Sequence, residues 1–284
     1  MGAYGRHRRL NQETNIVGRL QTRAMDEISG IAASGLNNNI YYIHNDSGDT
    51  SRFFAIKPDG ELKSTIYFKG DEKEKLGVKD CEDIAVGPGP VKGKSYVYLG
   101  DIGDNRAVRK YLTVYRMQEK PEWATDGHSA GDAVPIHLKY PDGPRDAETL
   151  MVDPIEKLLY IVSKREDSVK VYTSPLNYKP NDTVTLTKRA TLFFPGVKLF
   201  KWITAGDISK DGQRVLIKSY TKVYYWKRPA NEPIWKTIQR KPRELPYLEE
   251  KQGEAIGFTP DGKGYYTTSE GVYSPIYYYS IPSE

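Results

Sequence analysis

The 284-residue sequence predicts an all-β chain folded as a single β-propeller of five four-stranded blades. Three observations carry that expectation. A short phrase, an acidic or small polar residue followed by an apolar run and then turn residues, recurs at Ser29-Gly30-Ile31, Glu82-Asp83-Ile84, Glu148-Thr149-Leu150, Gly206-Asp207-Ile208 and Glu254-Ala255-Ile256. Successive copies lie roughly 50 to 65 residues apart, too long for a helical solenoid unit and right for a blade with generous loops. The last unit is one strand short, and a strand-like segment from Asn15 to Ala24 precedes the first, so the N-terminus can complete the last blade and close the ring.

Each unit resolves into strands separated by turn chemistry. In the first, Ser29 to Ala33 is the inner strand, followed by Ile40 to Asn45, Phe53 to Lys57 and Glu61 to Phe68, with turns at Asn37-Asn38-Asn39 and Pro58-Asp59-Gly60. The second runs Asp83 to Val86, Ser95 to Gly100, Leu112 to Met117 and Ala133 to Tyr140; its connection from Glu119 to Asp132 reads as a surface loop. The third runs Thr149 to Val152, Leu158 to Ser163, Val169 to Thr173 and Thr183 to Phe194, the last long enough to be split or bulged. The fourth runs Asp207 to Ser209, Arg214 to Ser219, Val223 to Lys227 and Trp235 to Gln239, with Arg240 to Lys251 as a charged connector. The fifth runs Ala255 to Phe258, Gly264 to Thr268 and Ile276 to Ile281. A sixth blade would require another repeat inside Lys110 to Tyr140.

Composition agrees. The 22 tyrosines favour pleated, half-buried surfaces, and one closed β domain accommodates this length. Residues 1–14, with Arg6-His7-Arg8-Arg9, read as a basic arm ahead of a single domain spanning 15–284. The net charge of +5 is otherwise made of intermixed signs, which gives no nucleic-acid footprint. The single cysteine, Cys81, rules out an intrachain disulfide and reads as a buried core residue, and the four histidines show no metal-ligand spacing. No apolar run is long enough for a membrane-spanning helix, and no signal-peptide core is present; secretion is the expectation if this is a mature form. Asn45-Asp46-Ser47 and Asn181-Asp182-Thr183 match the glycosylation sequon.

Residues at equivalent positions of the repeat face one another around a propeller's channel. Glu82, Glu148 and Glu254 share one such position, with Ser29 and Gly206 completing the ring. Converging carboxylates raise one another's pKa, and such a site must hold a cation, share protons or stay hydrated. Calcium suits oxygen-only ligands, whereas zinc and copper call for His or Cys clusters. The alternative is that the glutamates tie neighbouring blades together by hydrogen bonds. A second pattern, Asp46-Ser47-Gly48-Asp49 and Asp101-Ile102-Gly103-Asp104-Asn105, ends the second strands of the first two units, with Lys164 and Asp167 at the matching place in the third and Ser219 and Ser269 near it in the fourth and fifth. Either these are turns capped by their own carboxylates, or His44, Asp46, Asp101, Asp104, Lys164 and Arg165 form a polar mouth around the glutamates. In the second case His44 would serve as a general base and Lys164 or Arg165 as an anion-binding group. Gly89 to Ser95 misses the phosphate-loop spacing by one residue, and no Gly-x-Ser-x-Gly elbow or dinucleotide fingerprint occurs.

The phrases Cys81-Glu82-Asp83-Ile84-Ala85-Val86-Gly87-Pro88, Gly100-Asp101-Ile102-Gly103-Asp104-Asn105-Arg106 and Tyr140-Pro141-Asp142-Gly143-Pro144-Arg145-Asp146-Ala147-Glu148 resemble a widespread family of largely uncharacterised, often exported propeller proteins. The resemblance covers about the first two-thirds of the chain and implies a propeller and export, but no particular reaction; that family usually has an aromatic residue in place of Cys81. The placing of Glu82, Glu148 and Glu254 is also similar to the calcium ring of propeller lactonases and phosphotriesterases, which add Asn and Asp ligands where this chain has Ser29 and Gly206. Two functions follow as expectations: a monomeric propeller, with or without calcium, that binds a glycan or other small extracellular ligand, or a calcium-dependent hydrolase of an ester, lactone, phosphoester or glycoside.

Overall fold

Turn residues cut the chain into short strands, and each run of four folds back on itself as an antiparallel meander. A computed structural model, describing residues 15–283, shows five such sheets arranged as a five-bladed propeller. Blade 1 is β2 (Ile28–Ala33), β3 (Tyr41–Asn45), β4 (Arg52–Ile56) and β5 (Leu62–Phe68). Blade 2 is β6 (Cys81–Pro88), β7 (Ser95–Asp101), β8 (Leu112–Gln118) and β10 (Val134–Lys139). Blade 3 is β11 (Ala147–Asp153), β12 (Leu158–Ser163), β13 (Val169–Pro175) and β15 (Thr187–Leu192), and blade 4 is β16 (Ile203–Ile208), β17 (Arg214–Ser219), β18 (Val223–Lys227) and β19 (Arg243–Leu245). Blade 5 is β20 (Ala255–Phe258), β21 (Gly264–Thr268), β22 (Pro275–Ser280) and, from the other end of the chain, β1 (Ile16–Arg19).

The ring closes as the sequence predicts. β1 pairs antiparallel with β22, and the Arg19 N–H donates to Asp59 O across to blade 1 at 3.1 Å. That approach requires two glycines. A Cβ on Gly18 would lie 2.1 Å from Asp59 O, and Gly60, at φ +90°, would bring one within 2.0 Å of Arg19 O. The inner strands β2, β6, β11, β16 and β20 pack against one another in a closed circuit, with one apolar core between each pair of neighbouring blades. Buried carboxylates stitch that circuit together. Asp83 accepts the N–H of Ile84 at 2.8 Å and of Leu150, on the next blade, at 2.9 Å; Asp207 accepts the N–H of Phe258 at 2.8 Å.

Three sequence assignments differ. The connection from Glu119 to Asp132 is not a bare surface loop: a 3₁₀ turn at Pro121–Ala124 buries Trp123 completely, and β9 (Gly127–Gly131) adds a fifth strand parallel to β5 of blade 1. Gly and Ala at three of the five β9 positions, with His and Ser at the others, hide the strand from a reading based on apolar alternation. The split expected in Thr183 to Phe194 is real, but its first half, β14 (Thr183–Thr185), pairs parallel with β10 of blade 2. Trp235 to Gln239 is not a strand. Ile234 and Ile238, four residues apart, turn one side of the short helix α1 (Ile234–Thr237) into the core between blades 3 and 4, and the fourth strand is β19, inside the stretch read as a connector. No sixth blade occurs among the described residues, and none of their helices is long and apolar enough to cross a membrane. The arm at 1–14 lies outside the described residues.

Trp123 meets Tyr42 and Phe53 edge-on, with ring centroids 5.9 and 5.4 Å away. Chemical denaturation of Trp123→Ala should therefore show a loss of about 3–5 kcal/mol, the scale of a large core truncation; a loss below about 1 kcal/mol, as at an exposed position, would contradict this packing.

Candidate functional site

Four of the five inner strands begin with a β-bulge. One extra residue is left unpaired where the strand enters the ring, which aims its side chain along the channel rather than into a blade. The bulged residues are Ser29, Glu82, Glu148 and Thr204, and Glu254 occupies the corresponding place just ahead of β20. The three glutamates are thus equivalent around the ring, but the fourth blade contributes Thr204 and not Gly206. The Gly206-Asp207-Ile208 phrase lies two residues further along, and because side chains alternate with a period of two, Asp207 keeps the same facing as Asp83 at a deeper level.

The second strands supply the rest of the mouth. Asp46, Lys164, Tyr220 and Glu270 each lie two residues beyond the residue paired with the inner strand's first regular position, His44, Val162, Lys218 and Thr268 respectively. Counting along the sequence stops one residue short, at Ser219 and Ser269, so Tyr220 and Glu270 escape it; inner-strand bulges cannot be counted from sequence. Asp80, immediately before β6, is the other residue missed.

These groups form two carboxylate clusters that share one member. Asp46, Asp80 and Glu82 each bring an oxygen within 4.8 Å of the others, and so do Asp46, Glu254 and Glu270. Few protein donors offset the five charges: the Ser47 N–H donates to Asp46 at 2.5 Å and the Tyr220 hydroxyl to Glu254. Burial pushes the Asp46 carboxyl up to about 7, and burial with the repulsion of Glu254 takes Glu270 to about 7 as well. Asp80 rises to about 6 through burial and then Asp146, while Glu82 is raised well above the ordinary range by burial and then Glu148.

Beside the clusters, Lys164 is buried and its ammonium contacts Glu148, the Tyr220 hydroxyl at 3.1 Å and, more distantly, Glu254 at 3.9 Å. Burial alone would lower its pKa, but Glu148, Glu254 and Tyr220 outweigh that and hold it above the ordinary lysine value. Glu148 is therefore committed to Lys164, although its second oxygen is buried without a hydrogen bond. Arg165 stands on the rim, paired with Asp146 and stacked over Trp202 at 5.0 Å.

Other candidates lie elsewhere. Asp101 accepts the N–H groups of Lys79 and Asp80 at 3.0 and 3.1 Å and the Arg109 guanidinium at 2.7 Å, so it positions Asp80 instead of facing the mouth. Asp104 caps the next turn through the N–H groups of Val108 and Arg109. Gly103 between them makes the cluster sterically feasible: a Cβ there would fall 2.2 Å from Glu82 Oε1 and 2.4 Å from Asp80 Oδ2. His44 is fully buried beneath the mouth, its Nδ1 2.8 Å from Asn45 O and its Nε2 without a partner. Burial pulls it down to about 4, which keeps the ring neutral at physiological pH. At the far end of the channel, a cavity of about 290 Å³ is lined mainly by apolar inner-strand residues such as Ala32, Val86, Val152 and Phe258. Comparison with known proteins adds no constraint: no protein-family model matches the chain, and no curated protein matches it.

The raised pKa of Asp46 has a definite sign in stability. Folded, it holds its proton up to about 7; unfolded, a carboxyl of this kind releases it near about 4, so between those limits the native state binds the extra proton and stability falls as pH rises. In chelator at pH 7.5, Asp46→Asn should melt higher than the wild type, by about 2–4 °C per kcal/mol of relieved charge, and the gap should close as the pH is lowered to about 5. A gap independent of pH would show that Asp46 is not the titrating group.

Proposed function

We propose that this propeller is a ligand-binding protein whose carboxylate-lined mouth holds a divalent cation and presents it to an oxygen-rich ligand such as a glycan. The observation that carries this reading is the pair of carboxylate triads sharing Asp46. Five carboxylates gathered with so few protein donors leave a deficit of positive charge that a hard cation would fill, and the all-oxygen, mixed Asp and Glu donor set fits calcium better than zinc or copper. Asp46, Asp80, Glu82, Glu254 and Glu270 would hold the ion. Glu148 contributes through Lys164, which fixes the sign of charge on one side of the mouth, while Trp202 and Tyr220 offer ring faces and a hydroxyl for stacking and hydrogen bonding to a sugar.

A calcium-dependent hydrolase of an ester, lactone, phosphoester or glycoside is the second reading. It is favoured by one observation: carboxyls titrating near neutrality, Asp46 and Glu270 at about 7 and Asp80 at about 6, share the mouth with the buried cation Lys164. Groups of that kind can take a proton from water and stabilise a developing anion. A bound calcium would supply Lewis-acid polarisation of a carbonyl or phosphoryl oxygen. His44, neutral and sealed beneath the ring, takes no part in either reading.

Calorimetric calcium titration of chelator-treated protein should show saturable binding that Asp46→Asn weakens by about a hundredfold or more, because it removes a ligand from both triads. Glu148→Gln should weaken binding less, by removing the main partner of the buried Lys164 ammonium and leaving it to compete with the ion for Glu254. Absence of heat and of any thermal stabilisation by calcium in the wild type would overturn the cation reading. With binding in hand, turnover of activated esters, lactones or phosphotriesters that chelation abolishes would decide for the hydrolase.

A further inference from the structure

From Thr183 to Gly206 the chain contains no acidic residue, and it carries Lys188, Arg189, Lys198 and Lys201. The middle of this stretch connects β15 to β16 and bears the densest run of exposed large apolar side chains among the described residues. Phe193 and Val197 are each 68% exposed, Leu199 57% and Phe200 53%, whereas the other exposed large apolar residues are scattered around the ring. Single exposed apolar residues are ordinary, but four within eight positions are not.

The loop is ordered by its own bonds and not by burial of those side chains. The N–H groups of Phe200 and Lys201 both donate to Val197 O at 3.0 Å, forming one helical turn at the tip, and the Lys201 ammonium lies 4.6 Å from the Phe193 ring while donating to Asp167 O. The turn at the tip thus satisfies the N–H groups of Phe200 and Lys201 within the loop itself. Its base is Trp202, stacked on Arg165 beside the mouth.

We propose that this loop is an interfacial anchor that docks the propeller on an anionic lipid bilayer. Val197, Leu199 and Phe200 enter the boundary between headgroups and acyl chains, and Lys198 and Lys201 lie at the level of the lipid phosphates. Two features select a bilayer over a protein partner. The apolar residues form a protruding turn with lysines interleaved among them, and the absence of acidic residues matches the anionic surface potential of lipid. Docking this way would hold the channel mouth next to the membrane surface through Trp202 and Arg165. It does not depend on the proposed cation.

The test is co-sedimentation with vesicles of phosphatidylcholine alone and of phosphatidylcholine with phosphatidylglycerol, in chelator. The wild type should bind the phosphatidylglycerol vesicles, more weakly as salt is added. Val197→Asp/Phe200→Asp should lose at least about tenfold in partitioning, since binding scales with the apolar area inserted. Lys198→Glu/Lys201→Glu should lose binding to the anionic vesicles specifically. Val197, Lys198 and Phe200 are exposed, so Val197→Asp/Phe200→Asp should keep the wild-type melting temperature; Lys201 is half-buried and bonded to Asp167 O, so Lys198→Glu alone repeats the charge test without touching that bond. The proposal fails if the wild type binds neither vesicle or if Val197→Asp/Phe200→Asp binds as well as the wild type. It fails also if sedimentation shows self-association that this variant abolishes with no vesicle binding, which would make the patch an interface between copies.

Discussion

Closure of the ring is the constraint on which the rest of the structure depends. An open array of four-stranded meanders would leave β22 with an unpaired edge and the inner strands free to splay, and no fixed mouth would exist. Pairing β1 with β22 removes that edge, and the contact of Gly18 with the Pro58-Asp59-Gly60 turn ties blade 5 to blade 1 at backbone-to-backbone distance. With the circuit closed, the bulged residues of successive blades have no choice but to face one another. The carboxylate clusters are in this sense a product of topology, assembled from residues as far apart in sequence as Asp46 and Glu270.

Holding them together opposes folding. Asp46, Asp80, Glu82 and Glu270 are held above their ordinary pKa, so the mouth stores electrostatic strain that the five inter-blade cores and the Asp83 and Asp207 bonds to neighbouring strands must offset. Asp83 and Asp207 show the contrast. Asp83, fully buried, and Asp207, partly so, spend their oxygens on backbone N–H groups of the inner strands, as staples, whereas Glu82 and Asp80 receive no such bonds among the described residues. The same chemical group is structural one level down the channel and available one level up.

Blade number, closure and the three glutamates were legible because they rest on signals that survive in one dimension: a recurring phrase, turn chemistry and a missing strand. What escaped was whatever depends on a register or on a neighbour. Thr204 replaced Gly206, and Tyr220 and Glu270 replaced Ser219 and Ser269, because neither the register of a strand pair nor the presence of a bulge is marked in the sequence. Asp101 looked like a mouth residue from its turn motif, yet its lone pairs go to Lys79, Asp80 and Arg109. β9 was hidden and β14, read as half of a split strand, was given to the wrong sheet because each completes a sheet in a different blade from its own, and α1 was missed because four-residue apolar spacing in so short a segment resembles alternation.

Those two extra strands divide the ring into unequal halves. Blade 2 sends β9 to the outer edge of blade 1, blade 3 sends β14 to the outer edge of blade 2, and blade 5 is woven from both ends of the chain. Peeling away any of these blades means breaking a ladder in its neighbour. Among the described residues blade 4 gives no strand and receives none, so no shared ladder holds it at either seam; side-chain packing and side-chain bonds do, such as Arg228 to Asp153 on one side and the Lys218 ammonium to Gly253 O on the other. The propeller behaves as a clasped chain with one unclasped link, and the connection from β15 to β16, with its exposed apolar turn, crosses into that link. If the ring breathes, it breathes there, beside the side of the mouth where Lys164 and Tyr220 meet.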